Sequence, residues 1–176
     1  MINRAGDKST LVQRVRRLVR QRSARRDEGV YIVEGPKLVR EALKAGRSVE
    51  VVLVPESATS DQFVEELNQK NVPWVEVSEQ IFSSLSSTRN PQPALAVLDE
   101  HLVSLADVTV TGGLLLVLAE VADPGNAGTL IRSAESFGAS GVVFAGGVDP
   151  FNPKVVRASA GSLFRLPVVC LPDPLE

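Results

Sequence analysis

A chain of 176 residues with 44% apolar and 23% charged residues has the make-up of an ordinary globular protein of one or two domains. One cysteine, Cys170, and one histidine, His101, exclude a disulfide framework, a cysteine-based zinc site and a histidine-rich metal site. The longest clean apolar run, 114–119, is too short to span a bilayer, and no apolar stretch follows the basic N-terminus, so a cytoplasmic protein without membrane contact is expected.

The net charge of −2 hides an asymmetry: residues 1–26 hold nine of the 19 Lys and Arg beside a single acid, Asp7. Positive charge concentrated in one stretch can meet a polyanion even when the whole chain is acidic. Ser9 or Thr10 can cap a helix beginning near Leu11, with Leu11, Val12, Val15, Leu18 and Val19 on one stripe and Arg14, Arg16, Arg17, Arg20 and Arg22 around the rest. That helix is expected to fray at Ser23, and Arg25 to Gly29 read as a turn. A strand at 30–33 ends at Glu34-Gly35, a strand-to-helix turn from which Glu34 could also reach the basic arm. A helix opening at Pro36 follows, with Leu38, Val39, Ala42 and Leu43 on its apolar face.

Further strands are expected at 49–54, 72–77 and 94–98. Helices between them start at Thr59 or Ser60 and at Ser78. This alternation is that of a three-layer α/β unit. A linker is placed around 99–110. The second unit reads as strand 114–121, a turn 122–125, helix 126–137 and strand 141–145. A helix opened by Pro153 or Lys154 runs to about Ala160, and a strand at 166–171 comes last.

Two stretches carry the chemistry. DPGNAGTLIR, 123–132, lies where a buried strand gives way to a helix, the place where open α/β sheets bind ligands. Gly125 and Gly128 admit a close neighbour, Asn126 can cap the helix or contact substrate, and Arg132 lies about one turn inside. On spacing alone the helix start resembles an anion site. It lacks both GxGxxG and a Walker lysine, which weakens a Rossmann nucleotide-binding reading, and a tight turn with a solvated Arg is the plain alternative. The second stretch, NPKVVRASAGSLFRLP at 152–167, gathers Lys154, Arg157 and Arg165 beside small residues that suit a helix pressed against another backbone. An ordinary amphipathic helix is the plain alternative there.

Together, DPGNAGTLIRSAESFGA and KVVRASAGSLFRLPV resemble the first two motifs of SpoU-type (TrmH) RNA 2′-O-ribose methyltransferases of the SPOUT superfamily. The basic helix followed by GVYIVEGPKLVREAL, 29–43, is similar to the ribosomal-protein-like α/β substrate-binding domain of many members. The resemblance implies an RNA-binding domain at 1–105 and the first half of a normally knotted methyltransferase domain at 106–176. It implies transfer of a methyl group from S-adenosyl-L-methionine to a ribose 2′-hydroxyl of ribosomal RNA, without a metal, by a homodimer. Arg132 and Asn126 fall on the family's catalytic Arg and Asn. RNA contacts are expected from Arg14, Arg16, Arg17, Arg20, Arg22, Lys154 and Arg157.

The family's later, cofactor-lining motifs find no counterpart before Glu176, so the chain reads as C-terminally truncated and no cofactor-binding residue is assigned. On that reading S-adenosylmethionine binds weakly or not at all, and a non-catalytic RNA-binding or assembly role is the alternative for this chain alone. The half-sheet should expose an apolar face at Leu166, Val168, Val169 and Leu171. Cys170 is expected in the core, and His101 at the surface or in the linker.

Overall fold

The chain folds into two compact units, Met1–Asp99 and Glu100–Glu176, seen in a computed structural model that describes residues 4–108 and 113–171. The division falls a few residues before the 105/106 boundary read from the sequence. Residues 100–108 belong to the second unit because they pair and pack there: Leu102 bridges Val168, Val103 N donates to Val168 O (2.9 Å), and His101 Nε2 donates to Leu163 O (2.9 Å).

In the first unit, helix α1 (Thr10–Arg20) starts where Ser9 accepts from Val12 N. It buries Val12, Val15 and Leu18, the 3.6-residue stripe of the sequence. The chain then becomes extended at Gln21 and re-enters a helix, α2 (Arg22–Glu28), closed by Gly29 in the left-handed region. The expected turn at 25–29 is therefore a helix. Ala24 and Arg25 are buried on it, and Arg25 donates to Leu18 O (2.7 Å) at the end of α1.

Strands β1 (Val30–Glu34), β2 (Val49–Pro55), β3 (Trp74–Val77) and β4 (Leu95–Asp99) form one sheet in the order β1-β4-β2-β3. β4 is antiparallel to both neighbours, with Tyr31 opposite Leu98 and Val52 opposite Ala96, and β2 runs parallel to β3. Helices α3 (Pro36–Lys44), α4 (Gln62–Gln69) and α5 (Glu79–Leu85) alternate with them.

One face of the sheet, with Val30, Ile32, Val51, Leu53, Leu95 and Val97, packs against α1, α2 and α5. The alternate residues Tyr31, Val33, Val52, Val54 and Leu98 are buried as well. Burial of both sets means both faces are covered, as a three-layer α/β unit requires.

The second unit is a parallel sheet in the order β5-β6-β7, from β5 (Leu114–Ala119), β6 (Ala139–Ala145) and β7 (Val168–Leu171). α6 (Pro124–Ser136) links β5 to β6, and α7 (Pro153–Ala158) with α8 (Ser162–Arg165) links β6 to β7. The helix expected to run to about Ala160 is α7, which ends at Ala158, and α8 follows after Ala160 and Gly161 take positive φ.

The exposed apolar face expected at the last strand is not found. Leu166, Val168 and Val169 are buried, and Leu171 is half-buried. The segment before β5 covers that face, since Val103 and Val108 pack with Leu115, Val143, Val169 and Leu171. Cys170 points the other way along the strand and is exposed, against the expectation of a core residue. His101 is half-buried and edge-on to Phe151, with ring centroids 5.3 Å apart. The expected linker positions 109 and 110 and the tail 172–176 lie outside the described residues.

Candidate active site

β5 delivers the chain to the edge of its sheet at Ala119, and a short turn leads into α6. The turn is held from two sides. Glu120 N donates to Ala145 O (3.0 Å) and Val148 N to Val121 O (2.9 Å), tying together the loops that follow β5 and β6. Gly147, at φ +74°, is required there: a Cβ would stand 2.6 Å from Val121 O and 2.8 Å from Val121 N.

Asp123 caps α6. Its carboxylate accepts from Asn126 N (2.7 Å), its carbonyl accepts from Ala127 N (3.1 Å), and Pro124 at the first helical position has no N–H to satisfy. The Asn126 amide bond holds the Asp123 carboxyl below the usual aspartate range, with nearby Lys154 and the Gly125 amide acting in the same direction. The helix start is therefore already occupied by an anion of the chain itself, which replaces the reading of this turn as a phosphate site. Asn126 is not the cap. Its side chain is exposed and left to other uses. Asp-Pro at a strand-to-helix turn is a cap signature, and it could have singled out Asp123 from the sequence.

Arg132 is exposed on α6, and its guanidinium makes no hydrogen bond or ion pair among the described residues. Because the helix starts at Pro124, Arg132 stands in its third turn rather than one turn inside. Ideal helix geometry puts Asn126 and Arg132 about 9 Å apart along the axis and about 120° apart around it. A ligand touching both has the size of a nucleotide unit rather than a single ion.

The buried face of α6 fixes this placement. Gly128 lies against α7: a Cβ there would stand 2.4 Å from Ala158 Cβ and 2.8 Å from Val155 O. The expectation that small residues let two backbones approach is met at that crossing. Lys154, at the start of α7, is exposed and sits 3.6 Å from Asp123. Arg157 is half-buried. Arg165 pairs with Glu135 of α6, and this bond holds the Glu135 carboxyl below its ordinary value.

The basic helix of the first unit is less open than its charge suggests. Arg14 is bonded to Glu28 and to Glu50, Arg16 to Asp7 and Ser84, and Arg17 to Glu28. The Arg14 bond, first among several causes, lowers the Glu28 carboxyl below its usual range. Arg20 is exposed and has no ion pair among the described residues, and Arg22 is exposed. Glu34 turns towards the loop between α5 and β4. It is buried, and its carboxylate accepts from Ser86 Oγ, Thr88 Oγ1 and Gln92 N. Nothing in residue type or periodicity pointed to that contact, which joins positions distant in the chain.

The loops after β5 and β6 meet closely at Val121 and Gly147, where a Cβ on Gly147 would have no room. No group of three or more His, Cys, Asp or Glu among the described residues could hold a metal ion, and no helix among them is long and apolar enough to cross a membrane.

Residues 10–96 match the MRM3-like substrate binding domain, and residues 113–176 match the SpoU rRNA Methylase family. The chain is 36% identical over 140 residues to the 23S rRNA (guanosine(2553)-2'-O)-methyltransferase RlmP of Bacillus subtilis, covering 79% of this chain and 53% of that protein. It is 30% identical over 161 residues to human mitochondrial rRNA methyltransferase 3, covering 86% of this chain and 37% of that one. The chain thus spans about half the length, or less, of these curated relatives. Among solved structures, the SpoU methyltransferase AviRb of Streptomyces viridochromogenes, in complex with the cofactor AdoMet, superposes with a TM-score of 0.84 at 28% identity. That match covers 95% of this chain and 64% of AviRb.

Proposed function

We propose that this chain, which belongs to the SpoU rRNA methylase family, forms part of an enzyme that methylates the 2′-hydroxyl of a ribose in ribosomal RNA. The observation that carries the reading is the uncommitted pair on α6: Asn126 and Arg132, both exposed, on a helix whose own N-terminal amides Asp123 already satisfies.

S-adenosyl-L-methionine is the proposed methyl donor, from the family and from relatives solved with AdoMet. The role proposed for the residues of the α6 turn is confined to RNA. A guanidinium does not give up its proton at ordinary pH, so Arg132 is not a base. Its planar fork suits a phosphate oxygen pair, and a phosphate so held fixes the adjoining ribose in a near-attack pose. Asn126 offers an amide that can donate to and accept from a sugar hydroxyl. Lys154 and Arg157 are proposed to contact RNA nearby, as Arg14, Arg16, Arg17, Arg20 and Arg22 are in the first unit. Of these, Arg20 has the strongest support, being exposed and without an ion pair among the described residues.

A homodimer and a cytoplasmic setting are proposed for the whole protein on family grounds. The matches to named methyltransferases do not favour the non-catalytic alternative. The test is transfer of a labelled methyl group from S-adenosylmethionine to ribosomal RNA by the whole protein, with nuclease mapping of the product. Label on a base instead of a ribose, or none at all, overturns the reading.

A further inference from the structure

Glu34 is 4% exposed at the end of β1, and burial of a carboxylate is unfavourable unless hydrogen bonds replace its water. Here one oxygen, Oε1, accepts from Ser86 Oγ (2.8 Å), Thr88 Oγ1 (2.8 Å) and Gln92 N (3.3 Å), all from the loop between α5 and β4. Ser86 Oγ also accepts from Thr88 N (3.1 Å), so the network closes on itself. Gly35 follows at φ +102°, and the loop presses against it: a Cβ on Gly35 would stand 3.2 Å from Gln92 Cβ.

The strand end, the start of α3 and loop 86–92 are thus fastened together, while Arg89 and Asn90 within that loop are exposed. Across the first unit, Arg4, Arg14, Arg16, Arg17, Arg40 and Lys44 are in ion pairs. Arg89 and Lys37 are exposed with no ion pair among the described residues, and they flank the Gly35–Gln92 contact. An Arg fork presented by a fastened loop matches a phosphodiester backbone.

We propose that Glu34 is a positioning residue, whose buried carboxylate holds loop 86–92 in the shape that presents Arg89 to the RNA backbone. The proposal rests on the reading of the chain as part of an RNA methyltransferase.

The test is binding of a labelled RNA hairpin with an open loop to the full chain, with a double-mutant cycle between Thr88→Val and Arg89→Ala. Arg89→Ala should weaken binding about tenfold, the scale of a hydrogen bond to a charged group. Thr88→Val removes one donor to Glu34 at nearly constant shape, and should weaken binding about threefold, within the range of a neutral hydrogen bond. In the Arg89→Ala background Thr88→Val should add nothing, because the loop then has no guanidinium to present. Ser86→Ala gives an independent second cycle should Thr88→Val fail to fold. Additive losses, or a neutral Arg89→Ala in a chain that binds RNA well, overturn the positioning role and leave the RNA reading standing. A wild-type chain with no RNA affinity overturns both.

Discussion

The two units differ greatly in how much positive charge they carry, and each pairs part of it with its own acids. The first holds most of the Lys and Arg, and binds much of that charge to its own acids: Arg14 and Arg17 share Glu28, Arg14 also takes Glu50, and Arg40 takes Glu66. The second has only four such residues, yet leaves Arg132 exposed and without an ion pair among the described residues. Charge density in a sequence therefore locates a potential partner surface poorly. An arginine next to an acid in the fold holds elements together, and one without an acid remains open to a ligand.

The sharpest way to break this contrast is at Arg132. In the whole protein Arg132→Ala should lower methyl transfer by roughly a hundredfold or more, the scale of lost positioning, with an unchanged melting temperature. Arg132→Lys keeps the charge without the fork and should also be poor. Near-normal turnover in Arg132→Ala would place the uncommitted arginine outside the chemistry.

Gly128→Ala tests the helix crossing beneath it. Alanine in a helix interior is favoured over glycine by about 1 kcal/mol. Here its methyl would meet Ala158 Cβ at 2.4 Å and Val155 O at 2.8 Å, and backbone cannot turn aside as a flexible side chain does. Overpacking should win, with a net loss of about 1–2 kcal/mol in denaturant unfolding. A stabilised variant would mean that α6 and α7 separate easily.

In the first unit Glu28→Gln removes the partner of both Arg14 and Arg17, and should lower stability by about 0.5–1 kcal/mol. It should leave RNA affinity unchanged or raised, because Arg17 is released while Arg14 keeps Glu50. Arg20→Ala should do the reverse: stability unchanged, and the salt slope of RNA binding reduced by about 0.7 if it neutralises one phosphate of a single strand. A slope that falls with Arg14→Ala but not with Arg20→Ala would invert the assignment.

The smallest expected effect is on pH. The carboxyls of Asp123 and Glu28 both lie below their ordinary values in the folded chain. Their contribution is fully present above the ordinary carboxylate range and is lost as pH falls through the lowered values. Unfolding measured from pH 6 downward should show stability falling below about pH 4, and Asp123→Asn should flatten part of that fall. An unchanged profile in Asp123→Asn would show that its cap bond has little effect on folding.

The sequence alone determined the elements whose signals are local. The stripe Val12, Val15 and Leu18 after Ser9 is a helix because those residues share one face and Ser9 satisfies a free amide. Ser78 before Ile81, Phe82 and Leu85 acts in the same way. The motif DPGNAGTLIR marked a strand-to-helix turn that a solvated arginine explained as well, and only together with KVVRASAGSLFRLPV did it resemble a family.

Tertiary structure decided what depends on distant partners. Whether residues 100–108 were linker or part of a unit turned on Val168 and Leu163, far along the chain. The same segment covers Val169, an apolar residue that the sequence left without a partner. Arg14 and Arg132 are the same residue type on exposed helix faces. Only the positions of Glu28 and Glu50 in space make the first a clasp, while no acid pairs with the second among the described residues.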